Sequence, residues 1–273
     1  MGDYADLRIE RDGAVAEVVL ARAAKRNALT FDMFDQLRRA FTALDRDPSV
    51  RAVILRGDGP MFCAGLDLLA SAAALMGGEE GESPAQKSRR LYDLIKELQA
   101  GVTAIARCSK PVVAAVHDQC LGGGVDLITA ADMRVCSADA RFSVFETRVA
   151  IVADVGTLQR LTPVVGRGMA REMAFTGRKI DAGRALNCGL VNQVFDDHDA
   201  CLAGARALAQ EIAANSPMAV QGTKRVLDYS DEHNTDDGLE FVAQWNTAFL
   251  QSHDLAEALQ AFMERRPGVY TGT

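Results

Sequence analysis

Three consecutive glycines, Gly122, Gly123 and Gly124, are closed two residues later by Asp126; Glu146 follows after twenty residues and Asp154 after eight more. Glycine lets a substrate approach backbone N–H groups with no Cβ in the way. An acid beside such donors is suited to moving protons next to a developing oxyanion. The pattern therefore points to acid/base chemistry on a carbonyl-like substrate.

Pro111 to Val116 is a short apolar run with the β-branched content of a buried strand, and Leu121 to Ala131 reads as a turn into a mostly apolar helix. That places Asp126 near a helix start, where the plain alternative is a first-turn acid that suits the helix dipole. Glu146 ends the apolar-rich stretch from Phe142 to Phe145, and Asp154 stands among Val149 to Gly156 with no other charge between Val149 and Gly156. Carboxylates in apolar surroundings are paired or functional. For Asp154 alone, the plain alternative is an N-cap for a helix starting near Gly156.

The elements that must position these residues alternate between strand and helix. Ala14 to Leu20 and Ala52 to Leu55 read as strands, and between them Thr30 caps a helix whose Phe34, Leu37, Phe41 and Leu44 share a face. Gly77 to Ser88, rich in Gly, Glu, Ser and Pro, is expected to be a mobile insertion. Leu91, Leu94, Ile95, Leu98, Val102 and Ile105 then mark the core face of a long helix. From His198 onward the pattern is helical, with Pro217 starting one segment and Gly238 breaking another. The expected division is 1–197 for a core carrying the site and 198–273 for a C-terminal helical region. Phe241, Trp245, Phe249, Leu255, Leu259 and Phe262 in that region serve either packing or an interface.

With 273 residues, 48% of them hydrophobic, the chain can bury one large core. A net charge of −7 opposes a general nucleic-acid or anionic-membrane surface. No 18-residue apolar run and no signal-peptide pattern stand in the sequence. The six cysteines show no CxxC spacing, and with four histidines they form no zinc motif, so reduced thiols in a cytoplasmic setting are expected.

Four segments resemble the enoyl-CoA hydratase/isomerase (crotonase) superfamily in order and spacing: Lys25 to Leu29, Met61 to Leu68, Leu121 to Leu127, and Phe142 to Leu161. Within it the chain is most similar to the Δ3,5-Δ2,4-dienoyl-CoA isomerases. Hydratases usually carry Glu, Glu and Gly where this chain has Asp126, Glu146 and Asp154. Three positions depart from the isomerase pattern: Ala23 replaces a proline, Asp118 a glycine, and Arg148 an acidic residue. A cation at Arg148 would lower the pKa of Glu146 if it lay close.

The resemblance implies an α/β fold, a spiral of repeated ββα units with a C-terminal helical region, assembled as a homotrimer or homohexamer. It implies an acyl-CoA thioester substrate, with coenzyme A as part of the substrate and no separate cofactor or metal. Leu66 and Gly123 then supply the oxyanion-hole amides. Glu146 handles the proton at C2, Asp154 the proton at C6, and Asp126 polarises or orients the pair. Contacts to the CoA thioester fall to Lys25, Arg26 and Ala28 of the first segment, to Ala64, Gly65, Leu66, Asp67 and Leu68 of the second, and to Gly123. Lys25 and Arg26 are the nearest cations for the CoA phosphates. An enoyl-CoA hydratase, adding water across C2=C3, is the alternative; it leaves Asp154 without a task. A nucleic-acid-binding member of the superfamily would need a basic stripe that this acidic chain lacks.

Overall fold

In the computed structural model, residues 4–77 and 81–273 are described. The chain opens with a hairpin of β1 (Leu7–Asp12) and β2 (Val15–Leu20), then α1 (Phe31–Arg46), β3 (Ala52–Gly57), α2 (Leu68–Met76), α3 (Pro84–Ala106) and β4 (Val112–Val116). Next come β5 (Gln119–Leu121), α4 (Gly123–Thr129), β6 (Met133–Ser137), β7 (Arg141–Ser143), α5 (Thr157–Val165), α6 (Arg167–Thr176), β8 (Ile180–Asp181), α7 (Ala182–Asn187) and β9 (Gln193–Phe195). Four helices finish the chain: α8 (His198–Ala213), α9 (Pro217–Glu232), α10 (Thr235–Phe249) and α11 (His253–Glu264).

A six-stranded sheet runs in the order β1-β2-β3-β4-β6-β9, and a three-stranded sheet in the order β5-β7-β8. Only β1 is antiparallel in the larger sheet; β2, β3, β4, β6 and β9 run parallel. Its inner strands read as continuous apolar runs because both faces are covered. Val53, Leu55, Val112, Ala114 and Val116 face one core with Leu37 and Phe41 of α1 and Val102 and Ile105 of α3. Leu37 and Phe41 are wholly buried, which contributes about 2 kcal/mol each. Ala52, Ile54, Val113 and Ala115 face the other way, onto Cys201, Ala205, Ala209 and Ala213 of α8.

That second face carries one buried charge group. Glu17 of β2 accepts hydrogen bonds from Arg56 Nε at 2.6 Å and from Arg206 Nε of α8 at 2.6 Å. A carboxylate so paired ties α8 to the sheet. α8 therefore packs with the core, and the division drawn at residue 198 cuts through that packing; α9 to α11 are the helices that extend beyond it.

Thr30 caps α1 as expected, accepting from Met33 N at 3.3 Å. The last five residues of the expected insertion are helical: Ser83 and Gln86 form a capping box with Pro84 at the first position, so α3 starts there. Residues 78–80 of that expectation lie outside those described. The stripe on α3 is fully buried only from Leu98 onward, with Leu94 half-buried against the core. Gly238 does not break a helix. It lies buried within α10, where an added Cβ would come within 2.8 Å of Ser230 Oγ on α9. Close helix contact, not flexibility, explains that glycine. Among the described residues no helix is long and apolar enough to cross a membrane.

Candidate active site

The site is assembled where two loops cross. Asn27, wholly buried and left-handed at φ 52°, donates to the carbonyls of Asp58 and Met61 at 2.8 Å each and accepts from Arg22 N at 3.0 Å. This locks the 22–29 loop beside the 61–67 loop. Leu29 and Leu66 then form an isolated parallel bridge, in which Leu29 N donates to Gly65 O and Asp67 N to Leu29 O. The bridge spends the amides and carbonyls around Leu66 but not its own N–H. Gly65 makes the turn at φ 92°, and a Cβ there would sit 3.0 Å from the Leu121 carbonyl oxygen. Only glycine fits so close to backbone in that conformation.

Gly123 opens α4, and its N–H, as a first-turn amide, has no intrahelical acceptor. A Cβ built on it would lie 3.9 Å from Leu66 N, so the two amides are neighbours. Among the described residues neither donates to a protein acceptor. Two adjacent, unspent N–H groups can bind one oxyanion.

Asp126, in the first turn of α4, is wholly buried. Its Oδ1 accepts from Thr157 N at 2.6 Å and from Thr157 Oγ1 at 2.7 Å, while Oδ2 has no partner. Thr157 is the first residue of α5, whose own N-cap, Gly156, has no side chain. Asp126 thus caps a helix other than its own. Burial, aided by the charge of Glu146 and opposed by the two Thr157 donors, pushes its carboxyl up to about 7.

Glu146 starts a 3-10 turn directly after Phe145. Gly122, at φ 49°, makes room for it: an added Cβ would stand 3.3 Å from Glu146 Oε1. Glu146 Oε2 is buried without a partner. Burial first, and the charge of Asp154 second among the raising causes, lift its pKa above the ordinary carboxylate value. Arg148 does not counter this. Its Nε donates to Thr176 O at 3.2 Å and its guanidinium lies over the Phe145 ring, so the expected depression of Glu146 does not occur.

Asp154 reaches solvent, yet the surrounding walls strip part of its hydration and raise its carboxyl. Its carbonyl accepts from Gln99 Nε2 at 2.7 Å, which fixes the loop before α5. It is not the cap of α5. It lies on the wall of a cleft of about 1760 Å³ between the core and α9 to α11, with Gln99, Arg107, Arg160 and Trp245. Asp126 and Glu146 do not line that cleft, but they lie near enough to Asp154 for its charge to act on both.

The expected CoA contacts divide. Lys25 and Arg26 are exposed beside the mouth formed by the crossed loops, and Ala28 and Ala64 are half-buried there. Asp67 is already spent: Oδ1 accepts from Ala70 N at 3.1 Å at the start of α2, and Oδ2 pairs with Arg22 Nη2 at 3.3 Å. These hold its pKa below the ordinary value. Leu68 is exposed. Thr157, Gln99 and Asn27 were not singled out in the sequence. Thr157 carried a usable signal, since a threonine at a helix start is a capping type, but its partner lies 31 residues away.

Known proteins resemble the chain over nearly its whole length. The enoyl-CoA hydratase/isomerase family pattern matches residues 10–273. The chain is 44% identical over 270 residues to a Dictyostelium discoideum protein named Delta(3,5)-Delta(2,4)-dienoyl-CoA isomerase, mitochondrial, covering 98% of this chain and 92% of that one. An Arabidopsis thaliana protein named Delta(3,5)-Delta(2,4)-dienoyl-CoA isomerase, peroxisomal, is 44% identical over 271 residues, 98% of each. A crystal structure of a putative enoyl-CoA hydratase from Streptomyces coelicolor A3(2) superposes with a TM-score of 0.91 at 32% identity, over 100% of this chain and 96% of that one. The organelles in the relatives' names overturn the expected cytoplasmic setting. That expectation rested on free cysteines, and buried reduced thiols do not distinguish one reducing compartment from another. With the pattern spanning nearly its whole length, the chain belongs to the enoyl-CoA hydratase/isomerase family.

Proposed function

We propose that the protein is a Δ3,5-Δ2,4-dienoyl-CoA isomerase. The observation that carries this reading is the third acid: Asp154 lines the large cleft and stands near enough to buried Asp126 and half-buried Glu146 for its charge to act on both. Relatives 44% identical and named as this isomerase favour it over a hydratase.

In the proposed reaction the thioester oxygen of a 3,5-dienoyl-CoA accepts from Leu66 N–H and Gly123 N–H. Glu146 removes a C2 proton; the C2–H electron pair forms C2=C1 and charge passes to the oxygen. One such amide donor supplies about 3 kcal/mol of stabilisation to that oxyanion. The charge then returns through the conjugated chain, C6 takes a proton from Asp154, and the double bonds end at C2 and C4. Nothing is gained or lost overall, and proton exchange resets the two carboxyls. The raised pKa values of Glu146 and Asp154 suit groups that must both take and give protons near neutrality. Lys25 and Arg26 are proposed to meet the CoA phosphates, with no cofactor beyond the substrate's own CoA.

Assembly as a homotrimer or homohexamer belongs to the same proposal. It is supported by Phe262 and Met263 of α11, which are 84% and 75% exposed in the single chain. Light scattering of purified protein checks it, a monomer being the refuting result. The reaction is tested by ultraviolet absorbance: 3,5-dienoyl-CoA should be conjugated faster than 2-enoyl-CoA is hydrated. Faster hydration reverses the assignment.

A further inference from the structure

Nothing in the reaction as proposed above requires Thr157, yet it makes two of the shortest contacts to a buried acid in the site. Its amide and hydroxyl both donate to Asp126 Oδ1, at 2.6 and 2.7 Å, and Thr157 is itself wholly buried. An oxygen that accepts two short hydrogen bonds in this way is a poor place for a proton. Asp126 Oδ2, buried and without a partner, is the remaining one.

We infer that Thr157 is a positioning residue that confines the Asp126 proton to Oδ2, where the protonated acid serves as a neutral donor beside the ionised Glu146. The inference deepens the isomerase reading and rests on it. Glu146 Oε2 is likewise buried with no partner, so the site holds two orphan carboxyl oxygens. With both acids ionised, two like charges would share a desolvated space beside a dienolate. A single proton on Oδ2 removes one of them.

The remaining charged and titratable neighbours act in both senses, with the like charge of Asp154 favouring the proton and the cation of Arg160 opposing it. Asp154 adds a further raising influence on Asp126, and Arg160 of α5 feels the Asp126 charge. Cys63 and Cys120 also lie close, but burial holds both thiols neutral, Cys63 pushed up to about 12 and Cys120 well above its ordinary value. Of the partners to Asp126, the Thr157 hydroxyl is the one a point substitution can remove while leaving the amide in place.

Thr157→Val removes the hydroxyl at constant shape, and Thr157→Ser restores it; Thr157→Ala serves where valine crowds the start of α5. The infrared band of the protonated carboxyl is titrated in each variant and read against the same protein carrying Asp126→Asn. The midpoint should lie near 7 in wild type and Thr157→Ser. In Thr157→Val it should rise by about one pH unit, the equivalent of one lost charge-assisted hydrogen bond. The alkaline limb of C2 proton exchange between 3,5-dienoyl-CoA and deuterated water should move up with it. Coincident Val and wild-type midpoints, or a Ser variant displaced as far as Val, overturn the inference. So does a displaced midpoint with an unmoved exchange limb. Absence of C2 exchange in wild type would instead sink the isomerase reading, and the infrared midpoints would still judge where the proton sits.

Discussion

Asp126 should make the protein less stable as pH rises, and replacing it with asparagine should remove that loss. The carboxyl is wholly buried and pushed up from an ordinary 3.8 to about 7. A carboxyl whose folded pKa lies above its unfolded one favours the folded state fully below the unfolded value. That contribution is then lost as pH climbs through the folded value. A separation of about three pH units, at about 1.4 kcal/mol each, amounts to about 4 kcal/mol lost by pH 8 relative to pH 3. About 2.5 kcal/mol of this falls between pH 5 and pH 8. In Asp126→Asn the amide oxygen can still accept both Thr157 donors, and the amide nitrogen takes the place of Oδ2, so its cost is the same at every pH. Urea unfolding of both proteins at pH 5 and pH 8, at one protein concentration, isolates the effect as a difference of differences. Wild type should lose about 2.5 kcal/mol more than the variant across that interval. Equal losses would mean that Asp126 is ionised in the folded state throughout, and the account of its burial would fail. The variant should also be the poorer catalyst, because it lacks the titratable carboxyl.

Three further substitutions probe the site. Glu146→Gln should lower turnover at least about 100-fold, the low end for a general acid/base, with an unchanged unfolding midpoint; near wild-type turnover would remove Glu146 from the mechanism. Asp154→Asn should still exchange C2 protons with deuterated water, read by mass spectrometry, while conjugated product, read by absorbance, fails to form. Equal loss of both would mean the two acids act as one coupled unit. Gly65→Ala should push the turn away from the Leu121 carbonyl, displace the Leu66 N–H and cost about 100-fold in kcat; unchanged kcat would exclude that amide.

Much of the site was legible because its residues are near one another in sequence or fill apolar runs. The glycines at 122–124, the acids at 126, 146 and 154, and strands β2, β3 and β4 needed only short-range pattern. What escaped depends on long-range partners. α8 reads as one more C-terminal helix because its buried stripe is Cys201, Ala205, Ala209 and Ala213, small residues with a weak hydrophobic signal. Those same small residues let it lie flat on the sheet, and Glu17 with Arg206, 189 residues apart, fixes it there. Arg148 misled for the converse reason: two residues from Glu146 in sequence, it points toward the end of α6. Asp67 looked like part of the thioester site but is consumed by Ala70 and Arg22.

Asp126 shows why the structural and catalytic readings of a carboxylate need not compete. The plain alternative to a catalytic role was a helix-start acid suiting the dipole of α4; Asp126 does stand in that first turn, and it also satisfies the first amide of α5. That bond uses one oxygen. Because α4 follows directly from the glycine turn, the amide at Gly123 and the carboxyl at Asp126 are set by the same backbone. Because α5 follows the loop carrying Asp154, the bond from Asp126 to Thr157 also fixes where that loop begins its helix. One cap therefore ties the Gly123 amide, the acids Asp126 and Glu146, and the cleft-lining Asp154 into a single frame. A hydratase, which needs only the pair around one water, has no use for the third point of that frame; an isomerase moving a proton from C2 to C6 does.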